Sequence, residues 1–257
     1  MIKPACLAPP RSPRKWPAPR NLFRNFPVTQ TQEDGKRAAG EAALQFIQDG
    51  SLLGLGTGST VKYFLLALGE KVKSGFRVQG IPTSQDTARL AKELNIPLLP
   101  YEGDWELDVA VDGADQVDPH FQLIKGGGGA LLREKIVAAA ARQFIVIVDE
   151  AKWVPVLGMP MPVPVEVIPF GWPNAQRQIR ALGWSSYLRK KNNAVFKTDE
   201  GNVILDVEID RIEDAGTVEA QLNGIPGAVE NGLFVNRTSL VIVGGTQGVQ
   251  IKERPTF

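Results

Sequence analysis

The chain has 257 residues, 43% hydrophobic and 22% charged, with a formal net charge of +1; this suits one large domain, or a domain with a smaller companion, and excludes wholesale disorder. No run approaches the roughly 18 apolar residues of a membrane helix, and a single cysteine, Cys6, with a single histidine, His120, excludes an internal disulfide and a zinc site of several His and Cys ligands. Charge is uneven: Lys3, Arg11, Arg14, Lys15, Arg20 and Arg24 put +6 into residues 1–30 and leave −5 for the rest, a mildly acidic body that does not suit nucleic acid.

The first thirty residues are basic and proline-rich without helical or strand period, and read as a disordered extension. A plastid or other organelle transit segment would share the arginines, but would carry more serine than the lone Ser12. From Thr31 the pattern turns regular. Ala39, Ala42, Ala43, Phe46 and Ile47 recur at helical spacing until Asp49-Gly50 closes the helix. Residues 51–55 read as a strand, 59–68 as a helix, 76–81 as a strand and 84–94 as a helix. A strand over 107–111 ends at Asp112, a long helix is expected over 130–143, and Phe144–Val148 is a fully apolar strand. Such alternation argues for an α/β fold, a Rossmann-like, mostly parallel sheet with helices on both faces.

After Lys152 prolines at 155, 160, 162, 164, 169 and 173 punctuate shorter elements. Strands over 163–168, 195–197 and 203–209, with helices near 175–182 and 218–222, describe a small α+β domain. The apolar run Leu240–Val243 then returns to the first sheet. The expected division is 31–157 with 233–257 for the Rossmann-like domain and 158–232 for the smaller one.

Three constellations can carry chemistry. Gly54-Leu55-Gly56-Thr57-Gly58-Ser59-Thr60 lies between a strand and a helix. Its glycines allow close backbone approach, and free helix-start amides with Ser and Thr hydroxyls suit a phosphate; a plain turn with a serine N-cap would read the same. Asp112-Gly113-Ala114-Asp115 stands at the carboxyl end of a strand, where open sheets collect ligands, although an Asp-Gly turn needs no ligand. Lys125 precedes Gly126, Gly127, Gly128 and Gly129, a costly run for the unfolded chain to order, and can face a developing oxyanion. In the helix that follows, Glu134 has Leu131, Ala130, Val137 and Ala138 three and four residues away, all apolar. A carboxylate on that face is desolvated and its pKa raised toward the range of a general base. Arg133 and Lys135 also have apolar helical neighbours, so a salt-bridged charge cluster fits the same pattern.

Together, in this order and spacing, these motifs resemble ribose-5-phosphate isomerase of the A type from about Thr31 to Val249. Pro164-Val165-Glu166-Val167-Ile168-Pro169 and Gly201-Asn202-Val203-Ile204-Leu205-Asp206 add to the likeness. The resemblance implies an aldose–ketose isomerase interconverting ribose 5-phosphate and ribulose 5-phosphate in the pentose phosphate pathway. It implies no cofactor and no metal, a sugar phosphate as the only partner besides copies of itself in a homodimer or homotetramer, no nucleic acid and no membrane, and a cytoplasmic location. Glu134 then corresponds to the base that shuttles a proton between C1 and C2, with Asp112 and Asp115 assisting at the sugar oxygens. Lys125 with Gly126, Gly127 and Gly128 binds substrate and stabilises the enediolate, Gly113 and Ala114 line the site, and Thr57, Gly58, Ser59 and Thr60 hold the phosphate side with Lys36 and Lys152. Leu132 and Gly129 depart from the usual pattern beside the site. A non-catalytic sugar-phosphate sensor, or a sugar-phosphate deaminase or lactonase of the same fold, are the alternatives.

Overall fold

The computed structural model describes residues 31–254; the extension expected over residues 1–30, Cys6 included, lies outside them. The chain runs α1 (Gln32–Ala43), β1 (Ser51–Leu55), α2 (Ser59–Lys73), β2 (Val78–Pro82), α3 (Gln85–Glu93) and β3 (Leu107–Asp112). Two short strands, β4 (Gln116–Val117) and β5 (Leu123–Ile124), lead to α4 (Leu131–Ala139) and β6 (Ala141–Asp149). Then come β7 (Val163–Val167), α5 (Trp172–Ala181), β8 (Ser185–Leu188), β9 (Lys190–Lys191), β10 (Ala194–Val195), β11 (Val203–Glu208), α6 (Ala215–Asn223), β12 (Ala228–Asn231), β13 (Leu233–Phe234), β14 (Leu240–Gly245) and β15 (Gly248–Glu253).

Six strands form the main sheet in the order β15-β14-β6-β3-β1-β2. All neighbours are parallel except the β14–β15 hairpin. Period-two alternation sends Leu53, Leu55, Val109, Val111, Ile145 and Ile147 to one face, where Ala39 and Ala43 of α1 and Phe64, Leu65 and Leu68 of α2 cover them. Ala110, Val146 and Val148 go to the other, against Val137 and Ala138 of α4. Burial on both faces is why β6 reads as a continuous apolar run. Thr31 starts α1 with a reciprocal capping box to Asp34.

From β1 the chain moves outward to β2, then returns on the other side of β1 to make β3. The carboxyl ends of β1 and β3 therefore diverge at a switch point, where the loops splay and leave a crevice. A second sheet, β12-β7-β11-β8, is antiparallel throughout. Val163, Val165 and Val167 of β7 and Val203, Leu205 and Val207 of β11 bury one face against Ala175 and Ile179 of α5 and Leu222 of α6. A three-stranded ribbon, β13-β5-β4, carries the chain back toward the main sheet. No helix among the described residues is long and apolar enough to cross a membrane.

Three elements differ from expectation. The first helix, expected to run until Asp49-Gly50, ends at Ala43, passes through a 3-10 turn over Leu44–Phe46 and is extended by Ile47. The helix expected over 130–143 stops at Ala139, because Ala141 and Gln143 pair with Leu107 and Val109 of β3; sheet pairing overrides the helical preference of an alanine run. The strand expected over 195–197 survives only as Ala194–Val195 in a two-residue hairpin.

Candidate active site

β3 ends in Asp112, whose Oδ1 accepts hydrogen bonds from the amides of Thr57 (2.9 Å) and Gly113 (2.8 Å). One carboxylate thereby ties the loop after β1 to the loop after β3. Gly56 is required for this approach, since a Cβ there would stand 2.3 Å from the Asp112 carboxyl group. The Thr57 hydroxyl meets those of Thr83 (2.7 Å), Ser84 (2.9 Å) and Thr87 (3.2 Å). Gly58 is the N-cap of α2 and no side chain caps that helix, so Ser59 is its first residue, as expected, and the alternative of a serine-capped turn does not hold. The amides of its first turn remain open to an anion.

Lys125, at the end of β5, reaches under the same loops. Its Nζ donates to the Gly113 carbonyl (2.6 Å) and lies 3.2 Å from both Asp112 Oδ2 and Glu134 Oε2. All three ionisable side chains are buried. Asp112 Oδ2 and Glu134 Oε2 form ion pairs with Lys125 but accept no hydrogen bond. Two carboxylates sharing one ammonium in a desolvated place cannot both ionise at low cost. Burial, reinforced by the charge of Asp112, raises Glu134 to about 8 against the pull of Lys125. Burial also raises Asp112, opposed by Lys125 and the two amides. Burial lowers Lys125, but Asp112, Glu134 and Asp115 more than offset this and leave its pKa raised. The two amide donors make Asp112 the better-supported anion, so the shared proton belongs on Glu134.

The helix that carries Glu134 resolves the ambiguity left by periodicity. Arg133 pairs with Asp199 and Glu200, Lys135 is buried between Glu219 and Glu230, and Glu134 faces Lys125. All three charges are salt-bridged, and Glu134 is the one that lines the cleft. Ahead of the helix, Gly126 and Gly129 take φ of +102° and +86°, backbone that favours glycine. Asp115 Oδ2 accepts from the Gly127 amide at 2.8 Å.

These groups border a cleft of about 200 Å³. Thr57, Gly58, Ser59, Thr60, Gly113, Ala114, Asp115, Lys125, Gly126, Gly128, Glu134, Lys36 and Lys152 all line it. Asp112 lies buried beneath the loops, and Gly127 is exposed with its amide turned to Asp115; neither contributes lining. Lys36 pairs with Glu33 at 3.3 Å. Sequence reasoning missed two lining residues, Gln32 and Asp149, which join through Gln32 Nε2 and Asp149 Oδ1 at 3.1 Å. Asp149 was findable: it ends a strand as Asp112 does. Lys36 and Lys152 in the lining, an open helix start and a buried acid–ammonium–acid cluster together suit a small anionic substrate that gains and loses protons.

A family model described as ribose 5-phosphate isomerase A (phosphoriboisomerase A) matches residues 79–248. The chain is similar to ribose-5-phosphate isomerase A of Bacillus cereus, 50% identical over 216 residues that cover 84% of this chain and 98% of that protein. Among solved structures it is similar to a D-ribose-5-phosphate isomerase in complex with phospho-erythronic acid, with 45% identity, TM-score 0.84, and coverage of 87% of this chain and 100% of that one. It is likewise similar to ribose 5-phosphate isomerase A of Methanocaldococcus jannaschii, at 39% identity, TM-score 0.83, and 87% and 100% coverage. The matches take in β3, the glycine loop, α4 and the whole smaller sheet, and the chain belongs to the ribose 5-phosphate isomerase A family.

Proposed function

We propose that Glu134 is the base with which this aldose–ketose isomerase moves a proton between C2 and C1 of ribose 5-phosphate to give ribulose 5-phosphate. The observation that carries the reading is a buried carboxylate lining the cleft, held by Lys125 and raised to about 8. Such a group takes a proton and returns it near neutral pH, which one base working on adjacent carbons must do. Glu134 removes the C2 proton from the open-chain aldose, and the electron pair forms the C1–C2 double bond of an enediolate. Lys125 stabilises the negative oxygen. The hydroxyl proton moves from O2 to O1 with Asp112 and Asp115 assisting, there and in ring opening, and Glu134 delivers its proton to C1. The phosphate is taken to lie on the open start of α2, with Lys36 and Lys152 at the rim, which supplies positioning.

The test is isomerisation in deuterated water. The wild type is expected to wash deuterium into C2 of recovered ribose 5-phosphate, and Glu134→Gln is expected to lose both exchange and product. Exchange that persists in Glu134→Gln would assign the base elsewhere. A sugar-phosphate sensor would leave Glu134 without a task. The same reading takes residues 158–232 as a separate smaller domain, and the molecule as a cytoplasmic homodimer or homotetramer, for which Phe170 (90% exposed) and Ile168 (40%) supply apolar surface; sedimentation measures the oligomeric state.

A further inference from the structure

We propose that Arg189, from the smaller sheet, is a positioning residue that sets the peptide orientation of the glycine loop and so presents the Gly128 amide to the reacting end of the substrate. The proposal rests on reading the cleft as the isomerase site. Arg189 follows β8, and its own backbone is held by the Ile204 carbonyl (2.9 Å) and the Phe196 amide (3.0 Å). Its guanidinium grips Asp206 of β11 in two-pronged fashion, through Nε at 2.8 Å and through Nη2. Both side chains are largely buried. With two nitrogens fixed on a strand, the third has little freedom. That third nitrogen, Nη1, donates to two successive carbonyls, those of Gly126 (2.7 Å) and Gly127 (3.1 Å).

In a trans peptide the carbonyl and the next amide point in opposite directions, and the only cis bond among the described residues is Met159-Pro160. Drawing the Gly126 carbonyl to Arg189 turns the Gly127 amide the other way, and that amide meets Asp115 on the cleft side. Drawing the Gly127 carbonyl to the same nitrogen turns the Gly128 amide away from Arg189 as well. The Gly128 amide donates to no protein group among the described residues. Gly128 lines the cleft, and nothing stands within 4 Å of where its Cβ would be. Four glycines in a row have many peptide orientations available; the Gly129 amide holds the Gly126 carbonyl from within the loop (3.0 Å), and a rigid guanidinium fixes the Gly126 and Gly127 carbonyls together from outside the cleft, without touching the substrate.

The experiment compares wild type, Arg189→Met and Arg189→Lys in kcat and KM for ribose 5-phosphate, and in binding of phospho-erythronic acid and of inorganic phosphate. Phospho-erythronic acid carries a carboxylate at the end where the enediolate forms, whereas inorganic phosphate probes only the anion anchor. Removing one preorganised donor costs on the order of 100-fold or more in kcat, so a misaligned one predicts a fall of roughly 10- to 100-fold in Arg189→Met, with KM changing less than about threefold. Phospho-erythronic acid should bind at least about tenfold more weakly while phosphate affinity stays the same. Lysine keeps a charge beside Asp206 but has one nitrogen, which cannot hold Asp206 and both carbonyls at once, so Arg189→Lys should show the same selective loss. It carries the comparison if circular dichroism shows Arg189→Met unfolded. Equal weakening of both probes, or no change in kcat and phospho-erythronic acid binding, would overturn the proposal. A wild type without isomerase activity would defeat the functional reading instead, and the two binding constants would still decide the role of Arg189.

Discussion

Replacing Glu134 with glutamine should make the protein more stable, and increasingly so as pH rises. In the unfolded chain this carboxyl ionises near 4.5, whereas in the fold burial and the charge of Asp112 hold its proton until about 8. The folded state thus binds a proton that the unfolded state has released. Its contribution to stability is intact below 4.5 and is drained as pH climbs toward 8. The gap spans about 3.5 pH units, and at ~1.4 kcal/mol per unit the whole effect is on the order of 5 kcal/mol. Roughly 2–3 kcal/mol of it falls between pH 6 and pH 9. Glutamine fills similar space, leaves the Lys125–Asp112 pair intact and does not titrate. Urea unfolding of both proteins at pH 6 and pH 9 cancels the titration of every group that does not interact with Glu134, leaving that of Glu134 and its partners Asp112 and Lys125. The advantage of Glu134→Gln should grow by about 2–3 kcal/mol between the two conditions. Parallel stabilities at both pH values, or a wild type that gains on the variant, would refute the raised pKa.

Three further outcomes follow from the same geometry. The base must be ionised to act, so kcat/KM should fall about tenfold per pH unit below about 8 and level off above it; a profile flat down to pH 5 would contradict this. Lys125→Met leaves the buried Asp112 carboxylate, with Glu134 beside it, without its ammonium, which predicts a loss of roughly 3–5 kcal/mol in urea unfolding near neutral pH as well as lost turnover. Lys36→Ala and Lys152→Ala each remove a rim cation, and should raise KM for ribose 5-phosphate by about tenfold at low salt and less at high salt, with kcat nearly unchanged.

Much of this architecture was legible because it is written in local periods. β6 and β14 carry the apolar runs Phe144–Val148 and Leu240–Val243, and the loops after β1 and β3 announce themselves through Gly56, Gly58 and Asp112-Gly113. What was not legible depends on distant partners. The end of α4 is set by the pairing of Ala141 with Leu107, which no property of the alanine run reveals. Strands β4, β5 and β13 have two residues each, too few to show a period. Glu134 could not be told from Arg133 and Lys135 by spacing, since all three sit on a crowded helix and only their separate partners distinguish them. Asp149 carried the same strand-end signal as Asp112 and was passed over. Gln32 and Arg189 carried none: one is the first residue of an exposed helix start, and the other acts from a different sheet, 63 residues beyond the loop it holds.

The most direct test of the account is turnover of ribose 5-phosphate, followed by the ketose product, in wild type and Glu134→Gln at saturating substrate. The expected result is a robust wild-type rate and a folded variant that still binds the sugar phosphate but turns it over roughly 10²–10⁴-fold more slowly, the cost of a lost general base. A Glu134→Gln protein that isomerises at close to the wild-type rate would contradict it.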